Sequence, residues 1–169
     1  NLDLGDGFFQ NDKAAQLELI KMIRKYRPEI VFCNAIRDRH IDHGKGSALA
    51  SDACFLSGLR KIETSLEGEL QEAWRPKHVL HYIQWEEIEP DVVIDVSGFM
   101  DTKMEAIKAY KSQFYDPNSN EPITHTATKN MFESLTYRHQ NLGRLIGTDY
   151  AEGFTTETLV AVDSVFDLI

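Results

Sequence analysis

Helical and extended hydrophobic patterns alternate along the chain. Apolar residues recur about every three to four residues in four segments, as expected of helices that bury one face. Short apolar runs lie between these segments, and Pro28, Pro76 and Pro90 stand just before three of them. The predicted helices are residues 12–26, 46–59, 100–114 and 129–142, and the predicted strands are residues 30–35, 78–84, 92–96 and 158–162.

Strands that alternate with helices in this way predict an α/β protein with a mostly parallel sheet and right-handed crossovers. A length of 169 residues suffices for one substantial core, so residues 1–169 are predicted to form a single domain. The polar stretch 63–75 and the turn-rich stretch 116–122 are predicted to lie on the surface, and the composition of residues 150–154 fits a turn that closes the domain.

Charge and cysteine content narrow the function classes. The formal net charge is -9, which argues against nucleic acid and against anionic membrane surfaces as partners. Cys33 and Cys54 lie in apolar surroundings outside any CxxC pattern, so both are predicted to be buried free thiols in a reducing compartment. The sequence shows neither a membrane-spanning apolar run nor a signal-peptide pattern, which favours a cytoplasmic location.

The candidate chemistry lies in the segment His40-Ile41-Asp42-His43, directly after the predicted strand 30–35. In open α/β sheets ligands bind beyond the carboxyl ends of the strands, which is where these side chains are expected. If the segment is a loop, one histidine can face a metal ion while Asp42 holds the other. A solvated polar loop has the same composition and is the alternative interpretation.

Four segments together resemble the PIG-L (LmbE-like) deacetylases. They occur in the order of that family and extend over essentially the whole chain: Asp38-Arg39-His40-Ile41-Asp42-His43-Gly44, then residues 53–61, 112–114 and 150–154. Within the family, the chain looks most like the bacterial enzymes that deacetylate N-acetylglucosaminyl malate in bacillithiol biosynthesis. The resemblance implies a Rossmann-like three-layer sandwich.

The resemblance also implies a metal site that this sequence contains only in part. In the family, an Ala-His-Pro-Asp-Asp motif after the first strand supplies two ligands of one Zn²⁺ and the general base. That motif is absent here, so we expect an amino-terminally truncated chain that lacks the first βα unit and the remaining zinc ligands. His43 matches the third zinc ligand, His40 the histidine that stabilises the oxyanion or protonates the leaving amine, and Asp42 the carboxylate that orients His40. Ile41 replaces the usual proline, which makes this segment less rigid without removing a reactive group.

Two further residues are candidates for substrate binding. Arg39 flanks the motif and could bind a substrate carboxylate, although surface arginines beside acidic residues are common. His125 stands near the position where relatives often carry a tyrosine close to the substrate carbonyl, which implies a similar hydrogen bond.

The predicted function is zinc-dependent hydrolysis of the N-acetyl group of an N-acetylglucosaminyl conjugate, with N-acetylglucosaminyl malate as the specific expectation. One alternative is a deacetylase of another N-acetylglucosamine derivative, and the other is an inactive binding or assembly module. The expected partner is a small amino-sugar conjugate, and the resemblance implies a homo-oligomer.

Overall fold

The computed structural model describes residues 1–111, 113, 128 and 130–168. The chain divides into two compact units, one comprising Asn1–Val92 and Phe154–Ile169 and the other Val93–Gly153. The prediction of a single domain stays a prediction.

The first unit begins with two helices and a parallel strand pair. Its elements are helix α1 (Lys13–Tyr26), strand β1 (Ile30–Cys33), helix α2 (Ile41–Ser57), a small hairpin of β2 (Ser65–Leu66) and β3 (Glu69–Leu70), and strand β4 (His78–Tyr82). The side chain of Asp12 caps α1 by accepting a hydrogen bond from the amide of Ala15 at 2.9 Å. The helix ends at Arg27, which adopts a left-handed conformation just before Pro28.

Among its described residues, the second unit contains two helices. Strand β5 (Val92–Asp95) leads through a 3₁₀ turn (Ser97–Phe99) into helix α3 (Met100–Lys108), and helix α4 (Met131–Ile146) precedes strand β6 (Ala151–Thr156). Helix α4 ends at Gly147, whose φ of 79° is a conformation that favours glycine. The chain crosses between the two units within β5 and within β6.

The four longer strands form a mixed sheet in the order β1-β4-β6-β5. Strand β1 pairs with β4 in parallel, with Cys33 opposite His81. Strand β6 runs antiparallel to β4, with Phe154 opposite Tyr82. The predicted α/β fold class is confirmed.

The core of the first unit lies between helices α1 and α2 and the strands β1 and β4. Its buried residues are Ile20, Ile23, Cys33, Ala50, Ala53, Cys54 and Val79. Both cysteines are buried and free, as predicted. Burial raises the pKa of Cys33 to about 12 and that of Cys54 to about 11, so both remain neutral thiols.

Two predicted elements were wrong in position. Helix α2 begins at Ile41 rather than at residue 46, so the motif is the first helical turn and not a loop. The last strand is Ala151–Thr156 rather than 158–162, because residues 154–156 pair with β4 and bury Phe154 and Thr155. Among the described residues, no helix combines the length and the apolar character that crossing a bilayer requires.

Candidate metal and catalytic site

His40 caps the amino terminus of α2 with its own side chain. The backbone N–H of Asp42 donates to Nδ1 of His40 at 3.2 Å. In the neutral form of His40, the ring proton therefore lies on Nε2, which becomes a hydrogen-bond donor. The His40 side chain is 43% exposed, so this donor is accessible to a small molecule.

The ring of His43 is held by Asp38, a residue of the loop between β1 and α2. Nδ1 of His43 donates to Oδ2 of Asp38 at 2.6 Å, and the Asp38 side chain is only 1% exposed. With Nδ1 bearing the proton, Nε2 of His43 carries the lone pair that a metal ion would use. A carboxylate on the far nitrogen of a ligating histidine is the usual arrangement at zinc sites.

Asp38 accepts three further hydrogen bonds from backbone amides. The donors are Arg39 at 2.7 Å, and Trp85 and Glu86 at 3.2 Å each. Burial alone would raise the pKa of Asp38, but the hydrogen bonds from His43 and from these amides outweigh it and lower the pKa. Asp38 is therefore an ionised carboxylate that joins the start of α2 to the loop after β4.

Asp42 connects helix α2 to the loop that precedes α1. Its Oδ2 accepts from the amide of Gly7 at 2.6 Å, and Lys45 donates to the carbonyl of Gly7 at 3.0 Å. The Gly7 hydrogen bond is the largest influence on Asp42 and lowers its pKa despite an opposing effect of burial; the charges of His40 and Lys45 act in the same direction as Gly7. Oδ2 of Asp42 lies 3.9 Å from Nδ1 of His40, longer than a hydrogen bond, so the backbone of Asp42 and not its carboxylate contacts that ring.

Three side chains here could hold one metal ion. Asp6, His40 and Asp42 each offer a ligand atom, and these atoms lie within 4.8 Å of one another. Oδ1 of Asp42 is buried and, within the part of the chain that the structure describes, has no hydrogen-bond partner, while Nζ of Lys45 lies 3.8 Å from it. One imidazole nitrogen and two carboxylates suit a divalent cation.

The predicted site residues divide into three groups. His40, Asp42 and His43 lie together at the start of α2, with the two imidazole rings 5.5 Å apart between centroids. Arg39 is exposed beside them, with its guanidinium carbon 5.4 Å from the centre of a Trp85 ring. His125 lies outside the described residues.

Asp6 and Asp38 belong to this cluster but were not predicted as site residues. Asp38 stood inside the family-like segment 38–44, which could have indicated it. Its contacts with the loop after β4 join residues 47 and 48 positions apart, and the loop of Asp6 contacts α2 through a hydrogen bond spanning 35 positions. Local sequence patterns do not predict contacts between residues that are so far apart in the sequence.

The chain is similar to a curated protein with an assigned activity. The chain is 27% identical to the diacetylchitobiose deacetylase of Thermococcus kodakarensis over 157 residues, which cover 90% of this chain and 54% of that protein. The chain thus spans about half the length of this relative. No protein-family model matches the chain.

Solved structures share the fold over nearly the whole chain. The conserved protein TT1542 from Thermus thermophilus has a TM-score of 0.77 and 31% identity, over 94% of this chain and 66% of that one. GalB, the 4-carboxy-2-hydroxymuconate hydratase from Pseudomonas putida, has a TM-score of 0.70 and 18% identity, over 96% of this chain and 65% of that one. The N,N'-diacetylchitobiose deacetylase from Pyrococcus horikoshii has a TM-score of 0.67 and 21% identity, over 97% of this chain and 59% of that one.

These similarities carry different weight. The two structures below 25% identity establish only the fold, and one of them is a hydratase, so the fold by itself does not specify the reaction. The match to the Thermococcus kodakarensis protein adds sequence similarity to a protein with a stated activity. The chain is therefore homologous to diacetylchitobiose deacetylase and shares its fold.

Proposed function

We propose that this chain belongs to a metal-dependent deacetylase that removes the N-acetyl group of an N-acetylglucosamine derivative. The observation that carries the proposal is the His43–Asp38 pair beside His40, a carboxylate-held imidazole next to a second imidazole with a donor Nε2. The homology to diacetylchitobiose deacetylase supports amide hydrolysis as the reaction.

The metal is proposed to be one Zn²⁺ per site, with His43 as a ligand through Nε2. Asp6, His40 and Asp42 form a competing donor group, and the two assignments predict different metal losses on mutation. When bound, the ion would supply Lewis-acid polarisation of the amide carbonyl and a water molecule of lowered pKa.

His40 is proposed to stabilise the oxyanion of the tetrahedral intermediate. Because the amide of Asp42 occupies Nδ1, the Nε2–H of neutral His40 is the group that can donate to the developing negative charge. A protonated His40 could also transfer this proton to the leaving amine. In this assignment Asp42 positions His40 through the first helical turn and contributes negative charge beside it.

The substrate is proposed to be N-acetylglucosaminyl malate, which carries carboxylates in addition to the N-acetylated sugar. The exposed guanidinium of Arg39 would bind one of those carboxylates, and His125 would hydrogen-bond near the acetyl carbonyl. The protein is proposed to act in the cytoplasm as a homo-oligomer.

The test measures acetate release by the purified protein from three compounds: N-acetylglucosaminyl malate, N,N'-diacetylchitobiose and free N-acetylglucosamine. Each compound is assayed after chelator treatment and again after Zn²⁺ is restored. We expect acetate and free amine in equal amounts, only with metal, and fastest release from N-acetylglucosaminyl malate. Faster acetate release from another of these sugars would contradict the proposed substrate but would still support the proposed deacetylation reaction. Equimolar zinc binding without acetate release from any of them would instead support a binding module.

A further inference from the structure

Trp85 lies beside the candidate site because a single carboxylate oxygen contacts both. Oδ2 of Asp38 accepts from Nδ1 of His43 at 2.6 Å and from the backbone amide of Trp85 at 3.2 Å. The other oxygen, Oδ1, accepts from the amide of Glu86 at 3.2 Å. The position of the Trp85 backbone is thus fixed relative to the His43 ring.

The indole of Trp85 lies beside a charged group and is not buried in the core. It remains 37% exposed, and the guanidinium carbon of Arg39 lies 5.4 Å from the centre of one of its rings. Next to it, Arg37 and Glu86 form an ion pair at 3.4 Å. Trp85 and Arg39 therefore place a partly exposed aromatic ring and a cation next to each other.

Trp74, the second tryptophan of the chain, contributes to the packing of the first unit. Nε1 of Trp74 donates to the carbonyl of Pro28 at 2.8 Å, and Trp74 packs against the core of the first unit. Trp74 therefore provides a matched control for Trp85, because the two residues have the same side chain.

We propose that Trp85 and Arg39 form the platform that binds the pyranose ring of the substrate. A pyranose exposes a face of C–H groups that packs against an aromatic ring, and its hydroxyl or carboxylate substituents accept hydrogen bonds from a guanidinium. The proposal rests on the proposed function in one respect, since it assumes that the substrate is a sugar. It makes Trp85 a determinant of substrate specificity and assigns it no part in the chemical step.

The first experiment measures binding and needs no turnover. In the Trp74→Phe variant the emission comes from Trp85 alone, and it is titrated with N,N'-diacetylchitobiose and, as a control without a sugar ring, acetamide. We expect a saturable change in emission with the sugar and none with acetamide. In the matched Trp85→Phe variant, in which only Trp74 emits, the sugar should cause no change. If Trp74→Phe does not fold, the difference between the wild-type and Trp85→Phe titrations gives the same information.

The second experiment separates binding from chemistry. Trp85→Ala should raise KM for the acetylated sugar by about three- to tenfold with kcat within about twofold of wild type, because a stacking contact is lost. Trp85→Phe should recover part of this loss, whereas Trp74→Phe should leave KM unchanged. A merely structural role for Trp85 would instead lower kcat and the unfolding midpoint without a selective effect on KM.

The outcomes distinguish this inference from the proposed function. If Trp85→Ala releases acetate with a wild-type KM, Trp85 does not bind the sugar, and the proposed deacetylation is unaffected. The same conclusion follows if the emission of Trp85 does not respond to the sugar. A saturable Trp85 response in a protein that releases no acetate supports the platform and contradicts the proposed reaction. If the emission of Trp85 does not respond to the sugar and the protein releases no acetate, the sugar platform and the proposed function are both contradicted.

Discussion

Nδ1 of His43 lies 2.6 Å from Oδ2 of Asp38, and this contact fixes which nitrogen of the ring faces the site. Asp38 is almost fully buried and its pKa is lowered, so it is ionised at neutral pH. The carboxylate keeps the proton of His43 on Nδ1 and leaves the lone pair on Nε2. The same carboxylate holds the loop that carries Trp85.

Asp38→Asn tests this relationship. The amide side chain cannot carry the negative charge that favours the Nδ1–H form of His43, and its nitrogen would face some of the donors that Asp38 now satisfies. We expect zinc affinity to fall about 10- to 100-fold, as is typical when the outer partner of a ligating histidine is removed. Zinc titration followed by a competing chelator measures the affinity.

Asp52→Asn is the matched control for that change. Asp52 is an exposed residue of α2 that accepts from Asn11 at 2.7 Å, and it has no contact with the imidazoles. Its substitution should leave the zinc affinity unchanged. Wild-type zinc affinity in Asp38→Asn would remove His43 from the ligand set or show that its outer carboxylate is dispensable.

A second prediction separates the two histidines. His43→Ala should lower zinc content, because it removes the proposed ligand. His40→Ala should leave zinc content near normal and reduce kcat by about 10²–10³-fold, the usual cost of losing an oxyanion donor. Metal analysis of the dialysed variants, together with the rate of acetate release, measures both effects.

The competing donor group gives the opposite pattern. If Asp6, His40 and Asp42 hold the ion, zinc content should fall in His40→Ala and in Asp6→Asn and persist in His43→Ala. Equal metal loss in the two histidine variants would overturn the division of roles between them.

A third prediction concerns a buried cation in the core of the first unit. The Arg24 side chain donates to the carbonyls of Ser57, Leu59 and Ile62 and to the hydroxyl of Thr64, at 2.7–3.0 Å. The carbonyls of Ser57 and Leu59 also accept from backbone amides, at 3.0 and 3.1 Å, so the Ile62 carbonyl and the buried Thr64 hydroxyl depend most on Arg24.

Arg24→Met should destabilise the protein by about 1–3 kcal/mol, because it removes the Arg24 donors from the Ile62 carbonyl and from the buried Thr64 hydroxyl. Chemical denaturation measures the free energy of unfolding. Lys21→Met on the same helix is the control; it removes only the surface pair with Glu18 at 2.6 Å and should cost about 0.5 kcal/mol or less. Similar losses in the two variants would indicate that solvent or other groups replace Arg24.

The sequence predicted the elements whose signals are local. Helix α1 has its capping residue, Asp12, and its stop signal, Pro28, directly at its ends, and it was predicted at nearly its observed length. The predicted start of α2 at residue 46 was wrong, because the imidazole of His40 caps a helix that begins at Ile41. Histidine is not among the residues preferred at helix N-caps, so the sequence pattern did not predict a helix start next to His40.

The candidate site was predictable to the extent that it is contiguous in sequence. His40, Asp42 and His43 come together because they share one helical turn, and their position directly after the predicted strand favoured a functional site. Asp38 acts on this turn while also binding amides of a distant loop, and Asp6 approaches it from the loop before α1. These relationships depend on tertiary packing, which hydrophobic periodicity does not encode.

The last prediction concerns a buried titratable cluster in the second unit. Nδ1 of His139 donates to the carbonyl of Leu135 at 2.7 Å, so Nε2 accepts from Nζ of Lys103 at 2.8 Å. Lys103 also donates to Glu152 at 2.5 Å. The pKa of His139 is lowered, first by burial and then by the positive charges of Lys103 and Arg138, although the Leu135 carbonyl and Glu152 oppose the change.

Protonation of His139 would direct an Nε2–H towards the ammonium of Lys103 and break that hydrogen bond. Because the folded state binds this proton less readily than the unfolded chain does, the stabilising contribution is complete above the ordinary pKa of 6.5 and is lost progressively as the pH falls below it. The unfolding midpoint of the wild type, measured from pH 8 to pH 5, should therefore decrease more steeply below about pH 6.5 than that of His139→Gln. The glutamine carbonyl can still accept from Lys103 but does not titrate, so parallel curves for the two proteins would show that His139 is not the group responsible.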